Sequence, residues 1–593
     1  MVKINEINQG AQFLLKTLDV KQLFTAEDLT DEHKMINATA KQFIEKEVLP
    51  NKEEIEKQNF ELIVNLMHKA GELGLLAHSV PEKYGGLGLD KISKGIVGEN
   101  VGATGSYGVA HSNHTCIATL PITYFGTEEQ KKKYLPKLAS GEYIGAYCLT
   151  EPNAGSDALS SQTTARLNET GTHYLLNGTK IFITNAVFSD TFIVYAKVDG
   201  QHFTAFIVEG GFPGLSLGPE EKKMGIKGSS TRSVILENCE VPVENILGEI
   251  GRGHVIALNV LNLGRYNLGF ACMGGAKQAL KATVPYIRER KQFGKPIAEF
   301  PALKEKIAKM SAKIYAAESV QYRTAALLEE ALGGLYELAD QRLIANKLSE
   351  FATECAICKV FGSETLDYVV DEALQLHGGA GFMNDYGIER MYRDSRINRI
   401  FEGTNEINRL LIPTHLFRKA MKGDIPLQEK VKEARDKLQK GMNLLEGEFA
   451  RERSTIEFMR HLFLVCAGIT VETFGQEMVH EQEALMRLAD MAIFLFGAES
   501  AVYRTYKSIL KRGVAPSKLK IDLTRTYLQD SLWGVEKLAR IHALELCKDE
   551  KDAMQLVELI TRECSRYQLY GKGYERNRMI AEKQYEAGQF TCS

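Results

Sequence analysis

The sequence of 593 residues lacks the features that mark membrane, exported or nucleic-acid-binding proteins. Its longest uninterrupted apolar candidate, Leu462 to Ile469, is far shorter than the roughly 20 residues that cross a bilayer. The opening MVKINEINQG has neither the basic and apolar regions of a signal peptide nor the Arg-rich character of a transit peptide. Because 73 basic residues nearly balance 76 acidic ones, no global field favours nucleic acid. We therefore expect a cytoplasmic protein that binds no nucleic acid.

Ten cysteines are spread along the chain without the dense, regular spacing of a disulfide framework. Cys355 and Cys358 form one CxxC, but it lies in a helical pattern, and no second pair or nearby histidine completes a zinc set. His111 and His114 likewise have no recognisable carboxylate or thiolate partner. We interpret all four as structural or surface residues and predict no metal site.

Proline is scarce in the distal part of the chain. Eleven of the 14 prolines occur by Pro301, and none lies between Pro301 and Pro413, so this part is free to be strongly helical. An apolar stripe follows Pro301 at helical spacing, which predicts a helix that begins at this proline. The stripe consists of Leu303, Ile307, Met310, Ile314 and Ala317.

The middle of the chain reads differently. Short segments rich in β-branched and aromatic residues, such as HYLLNGTKIFITN and DTFIVYAKV, are separated by Asn-Gly, Asp-Gly and Gly-Pro turns. We predict an α+β, mostly α, fold with an N-terminal helical domain, an antiparallel β domain, a helical bundle and an extra C-terminal helical domain. The expected ranges are 1–146, 147–247, 248–412 and 413–593.

No GxGxxG follows a strand and no GK[ST] occurs, so a Rossmann or Walker-type site has no support. Five other stretches carry the information: AYCLTEPNAGSD, KIFITNA, RERKQFGKP, LQLHGGAGF and RIFEGTNEINR. Together, from about residue 35 to 412, they resemble the acyl-CoA dehydrogenase family of flavoproteins. The helical tail makes the chain similar to the very-long-chain type, a likeness of length and architecture.

The chemistry of such an enzyme needs a carboxylate base in an apolar pocket, because desolvation makes it a better proton acceptor. It also needs FAD, since no side chain accepts a hydride. The resemblance makes Glu402 the base, on the sequence Phe401-Glu402-Gly403-Thr404, while Gly264 stands where some relatives carry the base instead.

The resemblance also implies a cofactor site shared between two subunits, and therefore at least a homodimer. Phe182 stands where relatives often have Trp; the phenylalanine keeps the stacking surface but lacks the indole N–H donor. Pro301 stands where many relatives have Gln. The implied FAD contacts are Tyr147, Leu149, Thr150, Ser156, Phe182, Thr184, Arg290, Phe293, Gln375, Gly378, Gly379, Thr404 and Glu406.

For the substrate, the resemblance implies a fatty acyl-CoA contacted by Ser156, Arg265 and Gly403, with a coenzyme A loop at residues 227–232. The implied reaction forms a trans-2-enoyl-CoA in β-oxidation and passes electrons to an electron-transferring flavoprotein. Two alternatives stay open: an acyl-CoA oxidase that uses oxygen, and a dehydrogenase-like assembly or scaffold protein.

The tail has two interpretations of its own. Basic residues among apolar ones between Tyr503 and Lys520 are consistent with weak peripheral contact to a membrane surface, or with a solvated helix face. Alternatively, the tail covers a surface that tetrameric relatives bury between dimers, which predicts a dimer.

Overall fold

The computed structural model describes residues 9–335 and 340–593. The N-terminal part is helical, as predicted, and α3 ends just before Gly74, a glycine in the left-handed region (φ 74°). The helices are α1 (Asp31–Phe43), α2 (Lys52–Glu56), α3 (Phe60–Glu72), α4 (Lys91–Gly102), α5 (Ser106–Ser112), α6 (Leu120–Phe125) and α7 (Glu128–Ser140).

The middle part is one twisted sheet. Its strands are β1 (Gly145–Cys148), β2 (Thr164–Leu167), β3 (His173–Thr184), β4 (Thr191–Val198), β5 (His202–Glu209), β6 (Leu215–Leu217), β7 (Thr231–Pro242) and β8 (Ile246–Leu247). The strand order is β6-β7-β3-β2-β4-β5-β8, and β1 pairs with β4.

The predicted β domain is confirmed and most of its strand pairs are antiparallel, but two pairings are parallel. Strands β1 and β2 both run parallel to β4, along successive parts of the same edge. Because β2 lies between β3 and β4, the turn after β3 does not close a hairpin, and β4 returns parallel to β2. The predicted boundary at residue 147 falls inside β1, which begins at Gly145.

Long helices form the bundle that follows. They are α8 (Gly253–Glu289), α9 (Pro301–Leu332), α10 (Gln341–Glu350), α11 (Ala352–His377), α12 (Ile388–Ser395) and α13 (Asn405–Met421), with a small hairpin of β9 (Lys291–Gln292) and β10 (Lys295–Pro296). Helix α9 begins at Pro301, as predicted, and Ile307, Met310 and Ile314 of its stripe are fully buried.

The C-terminal extension contains α14 (Leu427–Lys440), α15 (Ala450–Phe474), α16 (Gln482–Arg512), α17 (Lys518–Leu546), α18 (Glu550–Tyr567) and α19 (Gly573–Ala587). The predicted boundary at residue 413 is misplaced, because Pro413 lies inside α13. The chain breaks instead after α13, where Gly423 has φ 79° and Pro426 precedes α14.

The first described residues do not belong to the N-terminal helical domain, contrary to the prediction. The backbone N–H groups of Gly10 and Ala11 donate to Glu350 and Glu354 of the bundle. The ring of Phe13 packs 4.6 Å, centroid to centroid, from that of Phe496 in the extension. Residues 9–28 therefore form an N-terminal arm that ties the extension to the bundle.

Among the described residues, one segment, Ala450–His480, is long and apolar enough by composition to cross a membrane. In the fold it contains α15, whose residues Ile456, Leu462 and Cys466 lie in the core shared by the extension and the bundle. Its Arg460 forms an ion pair with the fully buried Glu499. Its apolar character is accounted for by this core.

The basic run between Tyr503 and Lys520 is divided: Arg504, Lys507 and Lys520 are engaged inside the protein, whereas Lys511, Arg512 and Lys518 are exposed. Arg504 pairs with Glu27 at 2.7 Å and with Glu318 at 2.6 Å, and Lys507 pairs with Asp28 at 2.6 Å. These ion pairs attach the extension to the N-terminal arm and to α9. They leave Arg504 and Lys507 unavailable for the predicted membrane contact.

The residues interpreted as structural have structural partners. His114 accepts the backbone N–H of Gly145 at its Nδ1 (3.0 Å) and donates from Nε2 to the Leu138 carbonyl (2.9 Å), fixing β1 against α7. Cys355 and Cys358 are fully buried in α11. Residues 9–335 and 340–593 contain no group of three or more His, Cys, Asp or Glu side chains arranged to hold a metal.

Candidate active site

A cavity of about 360 Å³ lies between the N-terminal helices and α8, α11 and α12. Its apolar wall includes Ile117, Leu268, Leu366 and Phe401. Part of the wall is a π-helical segment, Asn113–Ala118, an irregularity that is frequent at functional sites. The predicted base, Glu402, is one of the lining residues.

The turn that carries Glu402 has an unusual backbone. Glu402 has φ 58° and Gly403 has φ 78°, so a residue with a side chain occupies the left-handed region that normally favours glycine. The turn is secured from both sides. Arg265 donates from Nε to the Glu402 carbonyl (3.2 Å), and Asn408 donates from Nδ2 to the Gly403 carbonyl (2.9 Å). Strain of this kind is typical of active sites.

Burial dominates the electrostatics of Glu402. Desolvation raises the pKa of its carboxyl from 4.5 to about 7, although the positive charges of Arg265 and Lys359 oppose the rise. Among the described residues, Oε2 has no hydrogen-bond partner. The carboxyl is thus a base poised near neutral pH with a free acceptor atom.

A second carboxyl lines the same cavity, and its bonding distinguishes it from Glu402. Burial raises the pKa of Asp394 to about 6, but its carboxylate accepts the backbone N–H of Ile226. That bond ties Asp394 to the loop before β7. Glu402 is therefore the better candidate for proton transfer.

Gly264 of α8 makes room for the base. A Cβ at this position would lie 2.8 Å from Oε2 of Glu402 and 3.1 Å from Cγ2 of Ile117. The sequence indicated only that Gly264 cannot itself be a base. The structure adds that its lack of a side chain lets the carboxyl of Glu402 approach the helix.

The predicted flavin-ring residues lie on β1, on the loop that follows it and at the end of β3, where Thr184 reaches the cavity. Tyr147 and Leu149 are buried, Thr150 is half-buried, and Thr184 lines the cavity. A β-bulge between Lys180 and Ile183 places Phe182 at φ 59°, with 62% of its side chain exposed. A bulge that turns an aromatic face outwards provides a stacking surface.

The loop between β1 and β2 is anchored by a buried ion pair. Lys180 donates to Glu151 at 2.6 Å, and Glu151 also accepts the backbone N–H of Thr163 at 3.1 Å. Burial opposes ionisation of Glu151, but Lys180 holds its pKa below the ordinary value. Ser156 is exposed on this anchored loop, so its hydroxyl is accessible to a ligand.

The predicted adenosine-side residues form a separate surface. Arg290, Gln375, Gly378 and Gly379 line a second cavity of about 790 Å³, which shares Tyr386 with the first. A Cβ at either glycine would meet nothing within 4 Å, so the backbone there is open to a ligand. Phe293, at the tip of the β9–β10 turn, is 94% exposed.

Four predicted contacts have roles that the sequence did not indicate. Thr404 is the N-cap of α13, where its hydroxyl accepts the Ile407 N–H, and Glu406 is exposed in the first turn. Arg265 is absent from the described cavity wall and holds the Glu402 carbonyl instead. Gly403 lies in the turn itself, where a Cβ would approach Asn408 to 3.2 Å.

The loop expected to lie near coenzyme A, residues 227–232, is not a solvated turn. Ser229 and Ser230 are fully buried, and Gly228 donates its N–H to the Ser106 hydroxyl at 3.1 Å. Ile226, just before the loop, lines the cavity of Glu402. The loop therefore supports the cavity from the β domain.

Sequence reasoning missed two parts of the site. Lys359 of α11 contacts the base turn, and the Glu151–Lys180 pair braces the flavin-side loop. Lys359 lies in CAICKVFG, an apolar helical stretch that gives no local sign of an ionic role.

These features fit a flavin dinucleotide. Phe182 offers a flat aromatic face to the flavin ring, the open backbone at Gly378 and Gly379 allows close approach of the ligand, and the basic Arg290 can bind phosphate. With the buried carboxyl of Glu402 in a cavity that Thr184 also lines, the fold and the site define an FAD-dependent oxidoreductase that acts on a CH–CH bond.

Sequence profiles agree with this class. The acyl-CoA dehydrogenase N-terminal, middle and C-terminal domain profiles match residues 30–142, 146–239 and 251–417, and a second C-terminal domain profile matches residues 458–560. The chain belongs to the acyl-CoA dehydrogenase family, in the group with an extra C-terminal domain.

Individual relatives cover most of the chain. A probable acyl-CoA dehydrogenase of Bacillus subtilis is 48% identical over 95% of this chain and 95% of its own length. The very long-chain specific acyl-CoA dehydrogenase of Bos taurus is 36% identical over 79% of this chain and 73% of its own. The crystal structure of an acyl-CoA dehydrogenase complexed with FAD from Bacillus anthracis has a TM-score of 0.95 and 47% identity, covering 98% of this chain and all of that one.

Proposed function

We propose that this acyl-CoA dehydrogenase oxidises fatty acyl-CoA thioesters to trans-2-enoyl-CoA in β-oxidation and passes the electrons to an electron-transferring flavoprotein. The observation that carries the proposal is the carboxyl of Glu402, buried with a free Oε2 at the wall of an apolar cavity. The α-proton of a thioester is weakly acidic, and a desolvated carboxylate is suited to remove it.

The residues divide the work. Glu402, ionised above its pKa of about 7, takes the α-proton at Oε2, while Arg265 and Asn408 hold its turn in place. The apolar wall excludes water and keeps that carboxyl basic. FAD, when bound beside Phe182 and Thr184, supplies the acceptor for the β-hydrogen and its electron pair.

The cavity favours a long acyl group. Its lining includes residues of α8 from Gly264 to Ala282, which span about 27 Å at 1.5 Å per residue. Burying a methylene contributes about 0.8 kcal/mol, or roughly fourfold in affinity. Anaerobic titration with a ladder of saturated acyl-CoA lengths should therefore show affinity that rises with each methylene until the cavity is filled. A preference for the shortest chains would contradict this assignment.

The decisive test is Glu402→Gln. The variant should fold, stay yellow and bind acyl-CoA, but its flavin should no longer bleach on anaerobic mixing, because an amide cannot take the proton. Bleaching at the wild-type rate would remove Glu402 from its role.

One similarity favours the alternative function of an oxidase. The crystal structure of the prolyl acyl carrier protein oxidase AnaB matches this chain with 30% identity and a TM-score of 0.59 over 65% of it. Stoichiometric peroxide from the reduced enzyme in air would favour an oxidase, and slow reoxidation by air would favour the dehydrogenase.

The exposed aromatic rings support a homodimer. Phe293 and Phe382 are 94% and 80% exposed, and each is next in the chain to a residue that lines the second cavity, Gln292 and Met383, so a second subunit would cover both rings. The extension occupies the outer face of α9 and α11. Light scattering should give a dimer, and a compact tetramer would contradict this arrangement.

A further inference from the structure

Lys359 is a buried lysine that does not line the described cavity but contacts the turn of the base. It is fully buried in α11, and its Nζ donates to the Gly403 carbonyl (2.8 Å) and to Oδ1 of Asn405 (2.6 Å). Asn405 in turn donates to the Ser363 hydroxyl at 3.1 Å. The ammonium thus joins α11, the base turn and the start of α13.

An ammonium is costly to bury unless hydrogen bonds and nearby charge offset the lost water. Here both acceptors belong to the segment that carries Glu402, which itself adopts a left-handed conformation costing of order 1 kcal/mol or more. Lys359 therefore braces a strained turn that the local sequence alone does not stabilise.

The charged and titratable groups around Lys359 come from every neighbouring element. They are Cys272 and Arg265 on α8, Glu364 on α11, Glu402 on the turn and Glu406 on α13. Burial lowers the pKa of Lys359 to about 8, and Glu402 is one of the groups that resist this fall. The reciprocal effect is that Lys359 lowers the pKa of Glu402.

We propose that Lys359 is a positioning residue for the dehydrogenation, which holds the Glu402–Gly403 turn and places a positive charge beside the carboxyl of the base. The inference rests on the proposed role of Glu402. It assigns Lys359 no contact with substrate or cofactor.

Three variants of the FAD-loaded enzyme test the proposal. Lys359→Met removes the donor and the charge at similar length, and Lys359→Arg keeps the charge. The matched control is Lys313→Met, because Lys313 is partly buried on α9 and lies over the Tyr368 ring, away from the base turn. FAD content and thermal unfolding establish that each variant is folded.

The first readout is the pH dependence of anaerobic flavin reduction at saturating acyl-CoA. Lys359→Met should slow reduction about tenfold to hundredfold, as expected for a misplaced base. It should also raise the acid midpoint by about one pH unit, since a neighbouring cation has gone. Acyl-CoA dissociation constants should change less than twofold.

Lys359→Arg decides the matter even if the methionine variant does not fold. The alkaline limb, expected near pH 8 where Lys359 loses its proton, should move to higher pH because a guanidinium does not titrate there. An alkaline limb unchanged in Lys359→Arg, or a Lys359→Met profile superimposed on that of wild type and Lys313→Met, overturns the proposal.

Infrared titration separates this inference from the proposed function. The carboxyl band that Glu402→Gln removes reports the pKa of Glu402 whether or not this residue is the base. An unshifted carboxyl band in Lys359→Met would contradict the role of Lys359 and leave the proposed function of Glu402 untouched. Full activity of Glu402→Gln would contradict the proposed function. A shifted carboxyl band in Lys359→Met would still show that Lys359 influences the charge of Glu402.

Discussion

Adding one methyl group at Gly264 should displace the catalytic carboxyl without unfolding the protein. In Gly264→Ala the new Cβ would lie 2.8 Å from Oε2 and 3.2 Å from Cδ of Glu402. Ordinary contacts between such atoms begin at about 3.5 Å. The carboxyl is the end of a flexible side chain, so it can move, and the required displacement is roughly 0.7 Å.

The cost follows from the sensitivity of catalysis to position. A misplacement of about 1 Å costs of order a hundredfold, so we expect flavin reduction to slow by roughly thirtyfold to a hundredfold, or about 2 to 3 kcal/mol in the barrier. Alanine is favoured over glycine inside a helix by up to about 1 kcal/mol, which offsets the cost of moving the carboxyl, so the free energy of unfolding should change little.

The assay is anaerobic stopped-flow measurement of flavin bleaching at saturating acyl-CoA, with FAD content and thermal unfolding measured alongside. Gly573→Ala, at the first residue of α19, is the control, because its Cβ would meet nothing closer than 3.9 Å. If Gly264→Ala reduced its flavin within twofold of the wild-type rate, the contact between Gly264 and Glu402 would not govern the position of the base.

Three further expectations concern stability and thiols. Because burial raises the pKa of Glu402 from 4.5 to about 7, ionisation of its carboxyl destabilises the fold as pH rises through that interval. Glu402→Gln should therefore be about 2 to 3 kcal/mol more stable than wild type at pH 8 and no more stable at pH 4. Denaturant unfolding without substrate measures this difference. Phe13→Ala should cost about 3 to 4 kcal/mol by loosening the N-terminal arm, and an unchanged thermal midpoint would contradict this. Cys355 and Cys358 should resist thiol reagents until the protein unfolds.

The particular residues show where sequence reasoning was sufficient. The helix start at Pro301 was predicted, because the preference of proline for the first helical position is a local property. Glu402, Phe182 and the Gly378–Gly379 pair could be proposed for the site because each lies in a short motif. The parallel pairing of β1 and β2 with β4 could not be predicted from the sequence, since strand order depends on contacts between distant segments.

The sequence by itself determined the succession of helices and strands, the family and the candidate base, since each is written in contiguous residues. Only the tertiary structure decided how that base behaves. Its raised pKa comes from apolar walls on several elements, and its space comes from Gly264. Its turn is held by Lys359, which lies 44 residues before Gly403 along the chain. Desolvation and charge act through space, so their strength is fixed by packing and cannot be read from local sequence.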